Sequence, residues 1–302
     1  MGDVVFGMQL PVQAQSKLMA QPWEPDAGPA ELAAVARAAD SHGFDYVSVC
    51  DHVAIPRDLA PRMTTTWYDT VATLSWLAGM TENVRLASTV YIVAYRNPLL
   101  TAKAFSTLDA LSGGRAVLGV GAGHVEAEFS ALGVDFHRRG RLTDEAITTL
   151  RDAFADEWVG DLGQTPRPVQ PGGPPIWVGG STAPAKRRAA TLGDGWLPQG
   201  PPAEGMAAAV AEINRLREEA GRAELAFAMG GTMRIYVGDP GWDVGAWCVT
   251  GKPDAVAEAV AADAAVGVTH MQVSFPSRTC GELLDQMAAF SEEVAPLVAG
   301  RG

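Results

Sequence analysis

Cysteine is scarce in this chain: three in 302 residues, Cys50, Cys248 and Cys280, far apart and odd in number. That excludes a disulfide framework and offers no spaced ligand set for zinc. Positive charge is also short, with 23 Lys and Arg against 35 Asp and Glu, a formal balance of −12. Neither nucleic acid nor an anionic membrane is expected as a main partner of such a chain. No apolar run approaches the ~18 residues that a membrane-spanning helix needs. The first residues, MGDVVFGMQLPVQ, have no basic stretch ahead of an apolar one, so a soluble cytoplasmic protein is expected. Several catalytic signatures are missing too. There is no G-x-G-x-x-G, no P-loop and no G-x-S-x-G elbow, and no H-x-H pair ends the first apolar run.

What is present is a repeated alternation of short apolar runs and helical periods. The stretch from Asn97 to Glu128 shows it best. Asn97 is placed to cap a helix and Pro98 fits its first position. Leu100, Ala104, Leu108 and Leu111 recur on one helical face, and Gly113 or Gly114 ends the helix. The apolar run 116–120 then breaks into Gly121-Ala122-Gly123. Bare backbone after a buried strand admits a flat or phosphorylated ligand, and a tight turn with no ligand explains it equally well. Other strands are expected at 4–10, 44–50, 84–92, 176–178, 195–198, within 225–237 and at 268–275. Helices are expected between them, including Trp67–Met80, Arg141–Trp158 and Glu204–Ala220. The proline-rich segment Gly160–Pro175 reads as an irregular surface excursion. Strands alternating with helices over one domain of this length indicate an α/β fold, a (β/α)₈ TIM barrel with a loop insertion. An open doubly wound sheet is the alternative.

In a barrel the chemistry gathers at the C-terminal strand ends. Those ends carry Gln9, Asp51-His52, Thr89-Val90-Tyr91, Gly121–His124 and Gly179-Gly180-Ser181-Thr182. Asp51-His52 is the acid–base candidate, since a carboxylate beside an imidazole can orient or charge it. A capping Asp next to a structural His is the plainer reading. Gly179–Thr182 precedes a helix whose first turns hold Lys186, Arg187 and Arg188, an arrangement suited to phosphate. His124, Glu126 and Glu128 share too little of one face for a metal site, and a solvated helix start explains the two carboxylates.

Four segments resemble one family: GFDYVSVCDH (43–52), NPLLTAKAFSTLDALSGGRAVLGVGAG (97–123), RRGRLTDEAITTLR (138–151) and PPIWVGGSTAPAKRRAATLGDGW (174–196). In order and spacing they resemble the luciferase-like monooxygenase superfamily, most closely its coenzyme F420-dependent oxidoreductases of actinobacterial type. The resemblance implies a barrel with its insertion after the fourth unit, which binds F420, or alternatively FMN, at its mouth. It implies a cofactor phosphate on Gly179, Gly180, Ser181 and Thr182, and a non-prolyl cis peptide near Ser88-Thr89-Val90 backing the ring. Gly121, Ala122 and Gly123 would border the same pocket, and Gln9, Trp67, Tyr91 and the 53–66 loop would line the substrate side. His52, with Asp51, would handle the proton that accompanies hydride transfer to or from a small organic substrate. Sugar-phosphate dehydrogenases of this branch have an acidic residue and an Asn where this chain has His124 and Ala127, which argues against that substrate. The resemblance also implies a homodimer or higher homo-oligomer. The alternatives are an FMN-dependent two-component monooxygenase served by a flavin reductase, and a non-catalytic flavin-binding protein.

Overall fold

The apolar runs bounded by glycines and polar loops form eight parallel strands in the computed structural model, which describes residues 4–299 apart from Leu18, Pro201 and Gly230. They are β1 (Val5–Gln9), β2 (Tyr46–Val49), β3 (Arg85–Ser88), β4 (Ala116–Gly121), β5 (Ile176–Gly179), β6 (Gly195–Leu197), β7 (Phe227–Ala228) and β8 (His270–Ser274). Their order in the sheet is β7-β6-β5-β4-β3-β2-β1-β8. A bridge between Met229, just past β7, and His270 closes the ring. A helix follows each strand: α1 (Pro29–Ser41), α2 (Thr70–Ala78), α3 (Pro98–Ser112), α4 (Arg139–Ala155), α5 (Ala183–Thr191), α6 (Met206–Glu219), α7 (Pro253–Ala264) and α8 (Cys280–Ala289). The chain is a (β/α)₈ barrel. After β7 the chain adds Met233–Val237, which pairs with the end of β8, and Cys248–Gly251, which pairs with Met233–Val237.

Helix α3 begins and ends where its signals lie. The Asn97 side chain accepts from the Leu99 N–H at 2.9 Å, and Gly113 closes the helix in the left-handed region at φ 69°. Its buried face shares only Leu108 with the expected leucine face. Leu100 and Leu111 are 72% and 73% exposed. Thr101, Phe105, Asp109 and Ser112 face inward beside Leu108. The buried Asp109 explains how polar residues hold that face. Its carboxylate accepts from the Val169 and Gln170 N–H groups at 2.7 and 3.0 Å and from Gln170 Nε2 at 2.6 Å. It thereby fastens the proline-rich segment to the barrel. That segment is also more ordered than its composition implies. Helix α4 stops at Ala155, and Trp158 lies in a small antiparallel hairpin, Trp158–Val159 with Leu162–Gly163.

Aromatic rings fill the barrel interior. Trp177 stacks on Phe227 with centroids 3.6 Å apart, and Tyr46 meets both edge-on. Nearer the N-terminal ends of the strands, Arg85 pairs with Asp45 and approaches His270 Nε2 at 3.2 Å. Burial holds the His270 imidazole down to about 4, with Asp45 pulling up and Arg85 pushing down. Its folded value lies below its unfolded one, so its contribution is complete above ~6.5 and is lost as pH falls towards 4. The difference between 6.5 and about 4 corresponds to about 3 kcal/mol. Chemical unfolding at pH 7 and pH 4 should show a fall in stability larger by about that amount in the wild type than in His270→Gln. Equal falls would mean that His270 does not titrate on unfolding.

Candidate active site

Strand β2 ends at the barrel mouth and delivers Asp51 and His52 side by side, but they face different partners. Asp51 is buried, and its two carboxylate oxygens take a paired bond from Arg96, Nη1 at 2.5 Å and Nη2 at 2.9 Å. Asp51 Oδ2 also accepts from the Ile92 N–H at 2.8 Å. Its geometry is that of a tie between the end of β2 and the chain following β3. The carboxylate beside His52 comes from elsewhere. Glu128, in the short helix Glu126–Ala131, lies 2.8 Å from His52 Nδ1 through Oε2. Its other oxygen accepts from the Val53 and Ala54 N–H groups at 2.7 and 3.2 Å.

Glu128 is therefore not the solvated helix-start residue its position implies: its side chain is 3% exposed. Burial by itself would raise this carboxyl. The hydrogen bond and charge of His52, with the two backbone N–H groups, outweigh burial and hold it below its usual range. An ionised carboxylate only accepts, so His52 carries its proton on Nδ1 in the neutral form and Nε2 is bare. Trp67 stands edge-on to His52 with centroids 4.4 Å apart, and His124 does so at 5.5 Å. Burial, and then the neighbouring His52, lower the pKa of His124 against the pull of Glu128. The site thus holds one imidazole oriented by a carboxylate and a second that favours neutrality.

The chain beyond β3 forms the floor next to this pair. The Thr89–Val90 peptide is cis, at the place the family resemblance implied. Thr89 Oγ1 bonds to Ser48 Oγ at 2.8 Å, and Ser88 Oγ donates to the Gly119 carbonyl at 2.9 Å. Tyr91 and Ile92 then rejoin β4 opposite Val120 and Gly121. The glycines of β4 have a packing reason. A Cβ on Gly119 would sit 2.0 Å from the Ser88 carbonyl oxygen, and one on Gly121 would sit 2.4 Å from Val90 Cγ2. Close packing against the chain beyond β3 therefore requires glycine at 119 and 121. Ala122 and Gly123 remain half-buried beyond them.

Other expected site residues are distributed as follows. Gly179 faces Val90, since a Cβ there would come within 2.7 Å of Val90 Cγ1. The Gly180 N–H is committed to the Leu197 carbonyl at 2.9 Å. Ser181 Oγ accepts from the Gln199 N–H at 3.0 Å. Thr182 opens α5 without a side-chain cap. The basic cluster behind this turn is mostly neutralised: Lys186 pairs with Glu204 and Glu212, and Arg188 pairs with Asp144. Arg187 is exposed. Tyr91 does not line the mouth; it is buried against Phe105 with centroids 5.3 Å apart, under the Arg96 guanidinium. Gln9 lines a cavity of ≈ 270 Å³ between the ends of β1 and β8. Arg96 and Glu128 are the residues that sequence reading misses. Neither has a local signal, because Glu128 meets His52 across 76 positions and Arg96 meets Asp51 across 45.

A family model for luciferase-like monooxygenases matches residues 4–241. An uncharacterised protein of Mycobacterium bovis is 31% identical over 209 residues, covering 62% of this chain and 72% of its own. The F420-dependent glucose-6-phosphate dehydrogenase of Intrasporangium calvum is 33% identical over 188 residues, 56% of this chain and 54% of that enzyme. The chain thus matches about half the length of that dehydrogenase. The oxygenating constituent of the Pseudomonas putida 3,6-diketocamphane monooxygenase, solved with FMN, superposes with a TM-score of 0.75 at 15% identity over 98% of each chain.

Proposed function

From the premise that the chain belongs to the luciferase-like monooxygenase family, we propose that it is an F420-dependent oxidoreductase acting on a small organic substrate. The observation that carries this reading is the His52–Glu128 pair past the end of β2, where the Val49 carbonyl accepts from the N–H of Thr89 of the cis Thr89–Val90 peptide. Coenzyme F420, when bound, supplies a deazaflavin ring that accepts or returns a hydride. The residues present fit such a group. Ser181 and Thr182, just ahead of α5 and without a side-chain cap, offer amide N–H groups at the positive end of the helix dipole to its phosphate. Gly179 and Gly180 shape the turn that presents them. The main chain of Ser88–Val90, with Ala122 and Gly123, would back the ring.

The proton is the chain's own task. When a carbinol gives up a hydride, its hydroxyl proton must also leave, and in the reverse direction a carbonyl oxygen must gain one. His52 Nε2 is the group that takes or gives that proton, and Glu128 keeps it free by engaging Nδ1. Trp67 and His124 both stand edge-on to the ring. Their bulk also limits water around it. An imidazole oriented by a carboxylate is what alcohol or carbonyl chemistry requires, which favours F420 over FMN.

Titrating the purified protein with F420 and with FMN, read by fluorescence, tests this assignment. Tight F420 binding with weak FMN binding is the expected result. A preference for FMN would move the protein to oxygen-dependent chemistry with a separate flavin reductase, and binding of neither would remove the cofactor reading altogether.

A further inference from the structure

The ≈ 270 Å³ cavity opens where β1 and β8 end and the added strand Met233–Val237 begins. Its volume lies at the small end of ligand pockets. Two polar groups in its wall lack partners. Gln272 is 5% exposed; its Nε2 donates to Thr232 Oγ1 at 2.8 Å, while its Oε1 has no hydrogen-bond partner. Arg234 presents a buried Nε that also has none. Among the described lining residues Arg234 is the one cation and Glu24 the one carboxylate. Glu24 does not answer Arg234: its oxygens accept from the Val12 and Gln21 N–H groups, each at 2.7 Å. Burial raises the Glu24 pKa against those two bonds, which further weakens it as a counter-charge.

Arg234 is thus a cation on the wall of an open cavity, and Glu24, the one carboxylate among the described lining residues, is engaged elsewhere, so the guanidinium is left to an anion from outside. The rest of the wall defines which anion. Met8, Leu10, Phe275 and Leu283 make one side apolar. Thr232 can pair with either end of the Gln272 amide, so the amide can turn and offer its NH₂ beside Arg234. One cation, one amide and an apolar wall match a carboxylate on a hydrocarbon body better than a phosphate dianion. Gln9, in the same wall, stands in register with Ser48, whose hydroxyl bonds to Thr89 at the cis peptide.

We propose that this cavity seats the carboxylate end of an amphiphilic organic acid, paired with Arg234 and Gln272. Calling that acid the substrate rests on the oxidoreductase reading, whereas its binding does not. Calorimetry on the cofactor-free full chain would use hexanoate, neutral hexanamide and inorganic phosphate as probes. Hexanoate should bind the wild type, and Arg234→Met should weaken it by about 10- to 100-fold. Hexanamide should bind weakly and equally to both proteins. Gln272→Glu, which sets a like charge against the ligand, should weaken hexanoate to a similar degree and serves as the second variant if Arg234→Met does not fold. No hexanoate binding, binding indifferent to both substitutions, or tighter binding of phosphate would each overturn the proposal. F420 titration of the same samples separates the two readings, since Arg234-dependent hexanoate binding without F420 binding leaves this site standing while the cofactor assignment falls.

Discussion

Replacing His52 by alanine should lower turnover by about 10²- to 10⁴-fold, the usual worth of a positioned acid–base group, while leaving cofactor affinity close to that of the wild type. The more telling variant is Glu128→Gln, which keeps the shape of the side chain. Two backbone donors, the Val53 and Ala54 N–H groups, point at one oxygen of Glu128. A glutamine must keep its carbonyl there, so its NH₂ would face His52 Nδ1. That arrangement forces the other tautomer, with Nδ1 bare and Nε2 protonated. The expected result is a loss of turnover approaching that of His52→Ala, an altered pH–rate profile and nearly unchanged thermal stability. Glu128→Gln retaining wild-type turnover with an unchanged profile would show that the carboxylate only fills space.

Asp51→Ala should do the opposite. It strips the partner from Arg96, whose side chain is 17% exposed, and unties the Ile92 N–H. Removing one member of a buried ion pair costs about 3–5 kcal/mol, so a large shift of the unfolding midpoint in urea is expected. Turnover of the fraction that remains folded should fall less than in His52→Ala. If Asp51→Ala unfolds at the wild-type midpoint but has lost its turnover, Asp51 acts on the reacting groups and the reading of it as a structural tie is wrong.

These two carboxylates also mark the boundary of what the sequence discloses. Strand and helix order was legible because parallel-barrel strands are near-continuous apolar runs cut by glycine and proline, and those signals are local. The cap at Asn97 and the stop at Gly113 were readable for the same reason. Which face of α3 is buried was not. Leu100 and Leu111 are more apolar than Thr101 and Asp109, yet a clamp formed across 60 residues holds Asp109 inside. The His52 position was legible as the end of a strand, but its partner was not. The neighbouring Asp51 is closer in sequence, and adjacent residues diverge where a strand runs out into a loop. Tyr91 failed for a related reason: past the cis bond the chain turns its ring outward onto Phe105. Lys186 and Arg188 read as free cations in the sequence because their acidic partners, Glu204 and Glu212 for the first and Asp144 for the second, lie on other elements.

The floor of the mouth is made of main chain and small residues: the Ser88 carbonyl against Gly119, and Val90 against Gly121 and Gly179. Side-chain replacement is the ordinary currency of divergence, and here it finds almost nothing to exchange, because an added methyl at Gly119 meets backbone. Selection acting on this barrel can therefore vary what is bound only through its walls, among them the 10–24 and 53–66 loops and the strand at 233–237. Descendants of this chain would be expected to keep one floor and differ in their rims.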